Sequence, residues 1–167
     1  QGKRHIEGYL QETTDFPWVS LRIPPVLGPE DPSLRFWWYM QRVLDGREII
    51  LRDGGSAVFR NGFSDDIAQA FLDAADSPKA VNQIYNICQR EFVTLRRFVE
   101  AIAERTGHEL SVVSVPGGVC DNLGGLPWRE WSFDPFSRPP AYAMSVEKAR
   151  RDFGKRRRPA RILLGEP

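Results

Sequence analysis

Short apolar strand patterns alternate with amphipathic helix patterns along this chain, yet only two or three of the strand patterns are apolar enough to lie inside a sheet. The alternation points to an α/β fold with parallel strands. A sheet that small leaves long unpaired edges, so the pattern reads as half of a larger α/β domain. Ile6, Tyr9 and Leu10 fall at helical spacing in a helix that starts at the first residue with no cap before it, as expected of a chain that has been cut. Trp18 to Ile23 reads as a buried strand stopped by Pro24 and Pro25, followed by a turn at Gly28-Pro29-Glu30-Asp31-Pro32. Ser33 is expected to cap a helix from Leu34 to Leu44, whose Phe36-Trp37-Trp38-Tyr39-Met40 run puts aromatics around a whole turn and predicts burial on more than one side. Glu48 to Leu51 is a short strand, and Asp53-Gly54-Gly55 a hairpin-like turn.

The second half repeats the pattern. Ser64 or Asp65 is expected to cap a helix with Ile67, Ala70, Phe71 and Ala74 on its apolar face, which makes Asp65 and Asp66 helix-start residues rather than a catalytic carboxylate pair. Ile84 to Cys88 is a strand, Thr94 caps a helix carrying Leu95, Phe98, Val99 and Ile102, and Gly107 ends it. Leu110 to Val115 is a strand, 116–141 a long loop rich in glycine, proline and aromatics, and Ser145 caps a last helix to Phe153.

Composition narrows the function. Hydrophobic residues at 41% and charged residues at 27% of a 167-residue chain describe a soluble globular domain. No apolar run approaches the ~18 residues that span a bilayer, and the opening residues lead into no secretory signal. Cys88 and Cys120 make no disulfide framework, and no spacing suggests a metal site. A cytoplasmic location is expected, without a membrane partner. The net charge of +1 conceals a division: residues 148–161 hold eight basic residues and one acid, while the body before them is acidic. The basic end, Lys155-Arg156-Arg157-Arg158 with Arg161, has the charge to meet nucleic-acid phosphates. Its shortness, Pro159 and the lack of interleaved aromatics favour a solvated, flexible terminus over residues 155–167.

The chain resembles the C-terminal half of an extended short-chain dehydrogenase/reductase of the NAD-dependent epimerase/dehydratase family. Gln1-Gly2-Lys3-Arg4 with Glu7 is similar to the end of the family's Tyr-x-x-x-Lys motif, and Leu21-Arg22-Ile23-Pro24-Pro25-Val26-Leu27-Gly28-Pro29 to its strand and Gly-Pro turn beside the nicotinamide. Asp65-Asp66-Ile67-Ala68, Tyr85-Asn86-Ile87, Val93-Thr94-Leu95 and Ser145-Val146-Glu147-Lys148-Ala149-Arg150 with Phe153-Gly154 follow in the family's order. The resemblance covers residues 1–154 and implies the C-terminal part of a Rossmann-like NAD(P)-binding fold plus its small substrate-binding subdomain. It implies a catalytic, ribose-holding role for Lys3, a cofactor-side wall of Ile23, Pro24 and Pro25, and a substrate cleft near Arg60. The loop bearing Trp128 and Trp131 is similar in placement to the family's substrate-covering segment.

The departures carry equal weight. The motif's tyrosine falls two positions before Gln1, outside this sequence. Many nucleotide-sugar members carry an asparagine where Pro25 stands, and proline has no amide to offer a substrate. Gly117-Gly118 and Gly124-Gly125 open no periodic helix and do not match a dinucleotide fingerprint. NAD or NADP is therefore expected in a complete enzyme acting on a sugar-like small molecule, and no tight cofactor binding by this chain alone. Without a neighbouring half the chain is expected to self-associate through Ile6, Trp18 and the Trp37-Trp38 pair. The alternative is a non-catalytic binding module that meets nucleic acid through its basic end.

Overall fold

A computed structural model, describing residues 2–12, 15–122 and 144–153, resolves the alternation into defined elements. In chain order these are α1 (Gly2–Glu12), β1 (Val19–Arg22), β2 (Val26–Leu27), α2 (Arg35–Leu44), β3 (Ile49–Arg52), β4 (Val58–Phe59) and β5 (Gly62–Phe63). They continue as α3 (Ser64–Ala75), β6 (Gln83–Asn86), β7 (Val93–Thr94), α4 (Leu95–Thr106), β8 (Val112–Val115), α5 (Gly117–Asn122) and α6 (Glu147–Phe153). The strands pair two by two. β1 lies parallel to β6 with Val19 opposite Gln83, β2 parallel to β5, and β3 parallel to β8 with Ile49 opposite Val112. β4 and β7 run antiparallel. Small parallel pairs connected through helices are what the shortage of apolar strands requires.

Two apolar clusters hold these pairs. In the first, Leu95, Phe98, Val99 and Ile102 bury one face of α4 against α2 and β3. The Thr94 hydroxyl caps α4 by accepting the Arg97 amide at 3.1 Å, and Gly107 ends it at φ 68°. The aromatic run on α2 feeds this cluster through Phe36, Trp38, Tyr39 and Met40, while Trp37 is 46% exposed. In the second, Ile67, Ala70 and Ala74 of α3 meet Tyr85 and Ile87 under Ala149 and Phe153 of α6.

Tyr85 fastens α6 to the β1–β6 pair. Its hydroxyl lies 3.0 Å from both Asp152 Oδ2 and the Lys79 carbonyl oxygen, and its ring meets Phe153 edge-on at 4.7 Å. Lys148 Nζ donates to Gln83 Oε1 at 2.7 Å and to the Ile84 carbonyl at 3.0 Å. Burial, then the hydrogen bond to Asp152, pushes the phenol up to about 12. A phenol raised in the fold stabilises it fully below the ordinary value near 10 and loses that contribution as pH rises towards 12. Denaturant titrations are expected to show stability falling by roughly 2 kcal/mol between about pH 9.5 and 12. Tyr85→Phe is expected to remove that fall. An equal fall in the variant would assign the transition to other groups.

Several local expectations are corrected. Ser33 does not cap α2: Leu34 precedes the helix in a left-handed conformation (φ 50°), with no side-chain cap bond. Ser64 is the first residue of α3, after an extended, uncapped Phe63, while Asp65 and Asp66 sit in its first turn. Phe71 is 51% exposed because Ile67, Ala70 and Ala74 centre the buried stripe and leave Phe71 at its edge. Asp53-Gly54-Gly55 forms a 3-10 turn rather than a hairpin, since β3 pairs with β8. β1 is half-buried instead of buried, and its edge away from β6 has no partner among the described residues. Gly117 opens α5, a helix of six residues, where a loop was expected. Of the residues expected to form an apolar patch, Ile6 and Trp37 are exposed, while Trp18 is half-buried and Trp38 packs on the first cluster.

Candidate functional site

β1 ends at Arg22, and the chain turns through Ile23, Pro24 and Pro25 into β2. The two prolines cannot continue a ladder, so the backbone leaves the sheet there and forms the wall of a cleft of about 680 Å³. Its lining includes Lys3 from α1, the Ile23–Leu27 segment, the Gly28–Pro32 turn, Arg35 at the start of α2, Ser64 and Met144. Clefts beyond the carboxyl ends of parallel strands are where α/β sheets take ligands. Gly28 is required by close approach: a β-carbon there would collide with the Ser64 side chain.

Lys3 reaches the cleft because α1 is fixed on β1. Glu7, one turn after Lys3, accepts hydrogen bonds from Arg22 Nε at 2.9 Å, Arg22 Nη2 at 2.6 Å and Ser20 Oγ at 3.1 Å. The Arg22 guanidinium holds the Glu7 carboxyl below the usual carboxylate range, against an opposing push from desolvation. Residues four apart share a helix face, so the clamp that faces Glu7 towards β1 also sets the side of α1 that carries Lys3. Lys3 itself has no side-chain partner among the described residues. The motif resemblance includes Glu7 but does not give its role. The signal for the clamp was Ser20 and Arg22, two polar residues on one face of a strand otherwise read as apolar.

The sequence-derived residues separate into three groups. Lys3, Ile23, Pro24 and Pro25 surround one cleft. Arg60 is buried and outside the lining: its Nη1 donates to the Met144 carbonyl at 2.5 Å and its guanidinium lies 3.6 Å from the Phe92 ring centre. It thereby supports Met144, which does line the cleft. Arg60 Nε and both ends of the neighbouring Asn61 amide are buried without hydrogen-bond partners among the described residues. Trp128 and Trp131 lie outside the described residues, as does the basic segment 155–161.

A dinucleotide makes two demands, and this geometry fits one. A lysine beside an apolar wall suits the ribose and nicotinamide end. The pyrophosphate end needs an open helix N-terminus after a glycine turn. Gly117 opens a helix after β8, but its N–H already donates to Asp53 Oδ1 at 2.7 Å, and a β-carbon there would lie 2.6 Å from Asp53 Oδ2. The Asp53 carboxylate, paired with Arg52 at 3.7 Å, already occupies that end. Among the described residues no three His, Cys, Asp or Glu side chains gather as metal ligands, and no helix is long and apolar enough to cross a membrane.

Parallel strands ending on a lysine-bearing cleft define a Rossmann-type α/β protein. The chain belongs to the NAD dependent epimerase/dehydratase family, whose model matches residues 2–88. Its architecture is similar to UDP-glucose 4-epimerase from Thermotoga maritima (TM-score 0.67, 21% identity, 91% of this chain and 45% of that one). It is equally similar to UDP-glucuronic acid 4-epimerase from Bacillus cereus, solved with UDP-glucuronic acid and NAD (TM-score 0.67, 15% identity, 94% and 45%). A curated relative is the chloroplast stem-loop binding protein of 41 kDa b of Arabidopsis thaliana, 30% identical over 107 residues, or 64% of this chain and 28% of that protein. The chain thus spans under half the length of these solved structures and under a third of the curated relative.

Proposed function

We propose that this chain supplies the substrate-binding half of an NAD(P)-dependent epimerase, dehydratase or reductase acting on a sugar-like alcohol or carbonyl. The observation that carries the reading is the meeting of Lys3 with Ile23, Pro24 and Pro25 around one cleft. An ammonium with three donors and no partner among the described residues can hold a ribose hydroxyl and favour the ionised form of a nearby tyrosine. The apolar wall excludes water from the reacting carbon and strengthens each polar contact made against it. A bound nicotinamide would supply the hydride acceptor or donor. Pro25 offers no side-chain amide, which favours a substrate recognised elsewhere in the cleft over a standard nucleotide sugar.

The tyrosine of the motif and a glycine-rich cofactor turn would come from a neighbouring half, and α1 with the free edge of β1 is the surface it would meet. Two titrations test the reading. Nicotinamide fluorescence is expected to show NADH binding this chain with a Kd above about 100 μM, because only one end of the cofactor is served. Sub-micromolar affinity would overturn that. Amide shifts on adding a simple hexose are expected at Val26, Leu27 and Gly28; shifts confined to α2 and α4 would move the ligand off the cleft.

A second reading rests on the Arabidopsis relative, a protein named for stem-loop binding. Here a nucleic-acid hairpin would be the partner, met through the basic residues after Phe153. Contacts to about five phosphates would weaken binding roughly 10²- to 10³-fold between about 50 and 200 mM salt. Affinity surviving removal of residues 155–167 would exclude that end as the binding element.

A further inference from the structure

α2 buries Tyr39 and Val43 and rests Phe36, Trp38 and Met40 on the first cluster, yet its outer face is apolar as well. From 34 to 44 the exposed positions are Leu34, Trp37, Gln41 and Leu44. Spacings of three, four and three residues put them in one row along the helix, with a single polar member. Leu34 belongs to the row because its carbonyl accepts the Trp38 N–H at 2.8 Å and so starts the helix. It does so at φ 50°, a left-handed conformation unfavourable for leucine, with no side-chain cap bond and its side chain exposed. Among the described residues nothing offsets that strain, and strain of this kind marks a surface with a use.

The row is a palindrome about position 39. Turned antiparallel by a two-fold axis, it sets Leu34 against Leu44 of a second copy and Trp37 against that copy's Gln41, and the axis repeats both pairs. The Trp37 indole and the Gln41 side-chain amide have no partner among the described residues, and an amide oxygen facing an indole N–H satisfies both. The charges agree. α2 has no side-chain cap and no acid in its first turn, while the exposed Asp45 stands at its C-cap, where a negative charge opposes the helix dipole. Antiparallel pairing brings Asp45 beside the other copy's uncapped N-terminal amides and reverses the sign of that interaction.

We propose that the outer face of α2 docks a second copy of this chain, as a two-fold dimer of antiparallel α2 helices. The proposal is independent of the reading of the cleft. α2 has ten residues, about 15 Å of helix, and a contact of that length falls below the roughly 1,200 Å² of standard interfaces. The dimer is therefore weak, with an expected Kd of about 10–100 μM.

Sedimentation velocity of this chain from about 2 to 500 μM is expected to show monomer passing to dimer around that Kd. Trp37→Ser is expected to weaken the dimer by at least about 10-fold, and Asp45→Lys by about 3-fold at low salt. Leu34→Gly accepts the left-handed backbone, so its melting temperature is expected to hold while the dimer weakens, which separates a lost contact from a lost fold. Orientation is read by oxidation. Leu34→Cys and Leu44→Cys are each expected to stay uncrosslinked alone and to crosslink to one another when mixed. A chain that stays monomeric throughout would overturn the proposal. So would association that survives Trp37→Ser but is lost in Ile6→Ser or Phe71→Ser, which would move the contact to α1 or α3. Leu34→Cys crosslinking to itself would overturn the antiparallel arrangement.

Discussion

Phe98→Ala is expected to lower the stability of this chain by about 3–5 kcal/mol, most of the roughly 5–15 kcal/mol that holds an ordinary domain together. Phe98 has no exposed surface and stands at the centre of three edge-on ring contacts, with Phe59 at 5.5 Å, Tyr39 at 5.7 Å and Phe36 at 5.9 Å. These rings come from β4 and α2, so removing the Phe98 ring opens a void where three elements meet. Edge-on pairs add about 0.5–1.5 kcal/mol each beyond the area they bury, which places the loss near the upper end. Urea unfolding should show the midpoint falling by about 2 M or the transition vanishing. Phe71→Ala is the matched control, since the same side chain is 51% exposed on α3, and should cost under about 1 kcal/mol. Equal losses in the two variants would mean that the ring cluster is not the core.

That contrast also shows what the sequence made legible. α4 was readable at every level because Thr94, four apolar residues at helical spacing and Gly107 all specify the same helix, and the fold keeps each of them in that role. Phe71 was misread because helical spacing is coarse: one residue turns through about 100°, so a residue at the border of a stripe is counted with its centre. The pairing of β3 with β8 spans some 60 residues and depends on four-residue strands. Nothing in so short a run names its partner, and the loop-like Asp53-Gly54-Gly55 suggested the wrong one. Register of this kind is decided by packing on α4, and no local pattern records it.

Legibility of the site follows the same division. Lys3 and the Ile23–Pro25 wall were reachable through an ordered motif, because a rigid strand-and-turn leaves a fixed spacing in the chain. Arg35 was not, because its placement depends on a turn that periodicity does not encode. Ser33 looks like a helix cap in sequence, yet Leu34 adopts φ 50° and hands the helix start to Arg35, freeing Ser33 to bridge to Asp31. Arg60 shows the converse. Its residue type suggests an anion site, but Met144 and Phe92 engage it beneath the cleft.

Gly55→Ala is expected to destabilise the fold by about 2–5 kcal/mol, the sum of a backbone cost and a steric one. Gly55 lies at φ 76°, a conformation that costs an alanine about 1–2 kcal/mol. A β-carbon there would also lie 2.8 Å from the Arg96 backbone nitrogen and 2.8 Å from Leu51 Cδ1. The leucine tip can rotate away, but Arg96 N belongs to the first turn of α4 and cannot move without shifting the helix start that Thr94 caps. Gly46→Ala separates the two terms. Gly46 has φ 64° with nothing within 4 Å of the added carbon, so that variant carries the backbone cost alone, about 1–2 kcal/mol. The difference between the two losses measures how tightly α4 is seated on the turn after β3. Equal losses would show that the turn yields, and that α4 is held by its apolar face without help from the Gly55 contact.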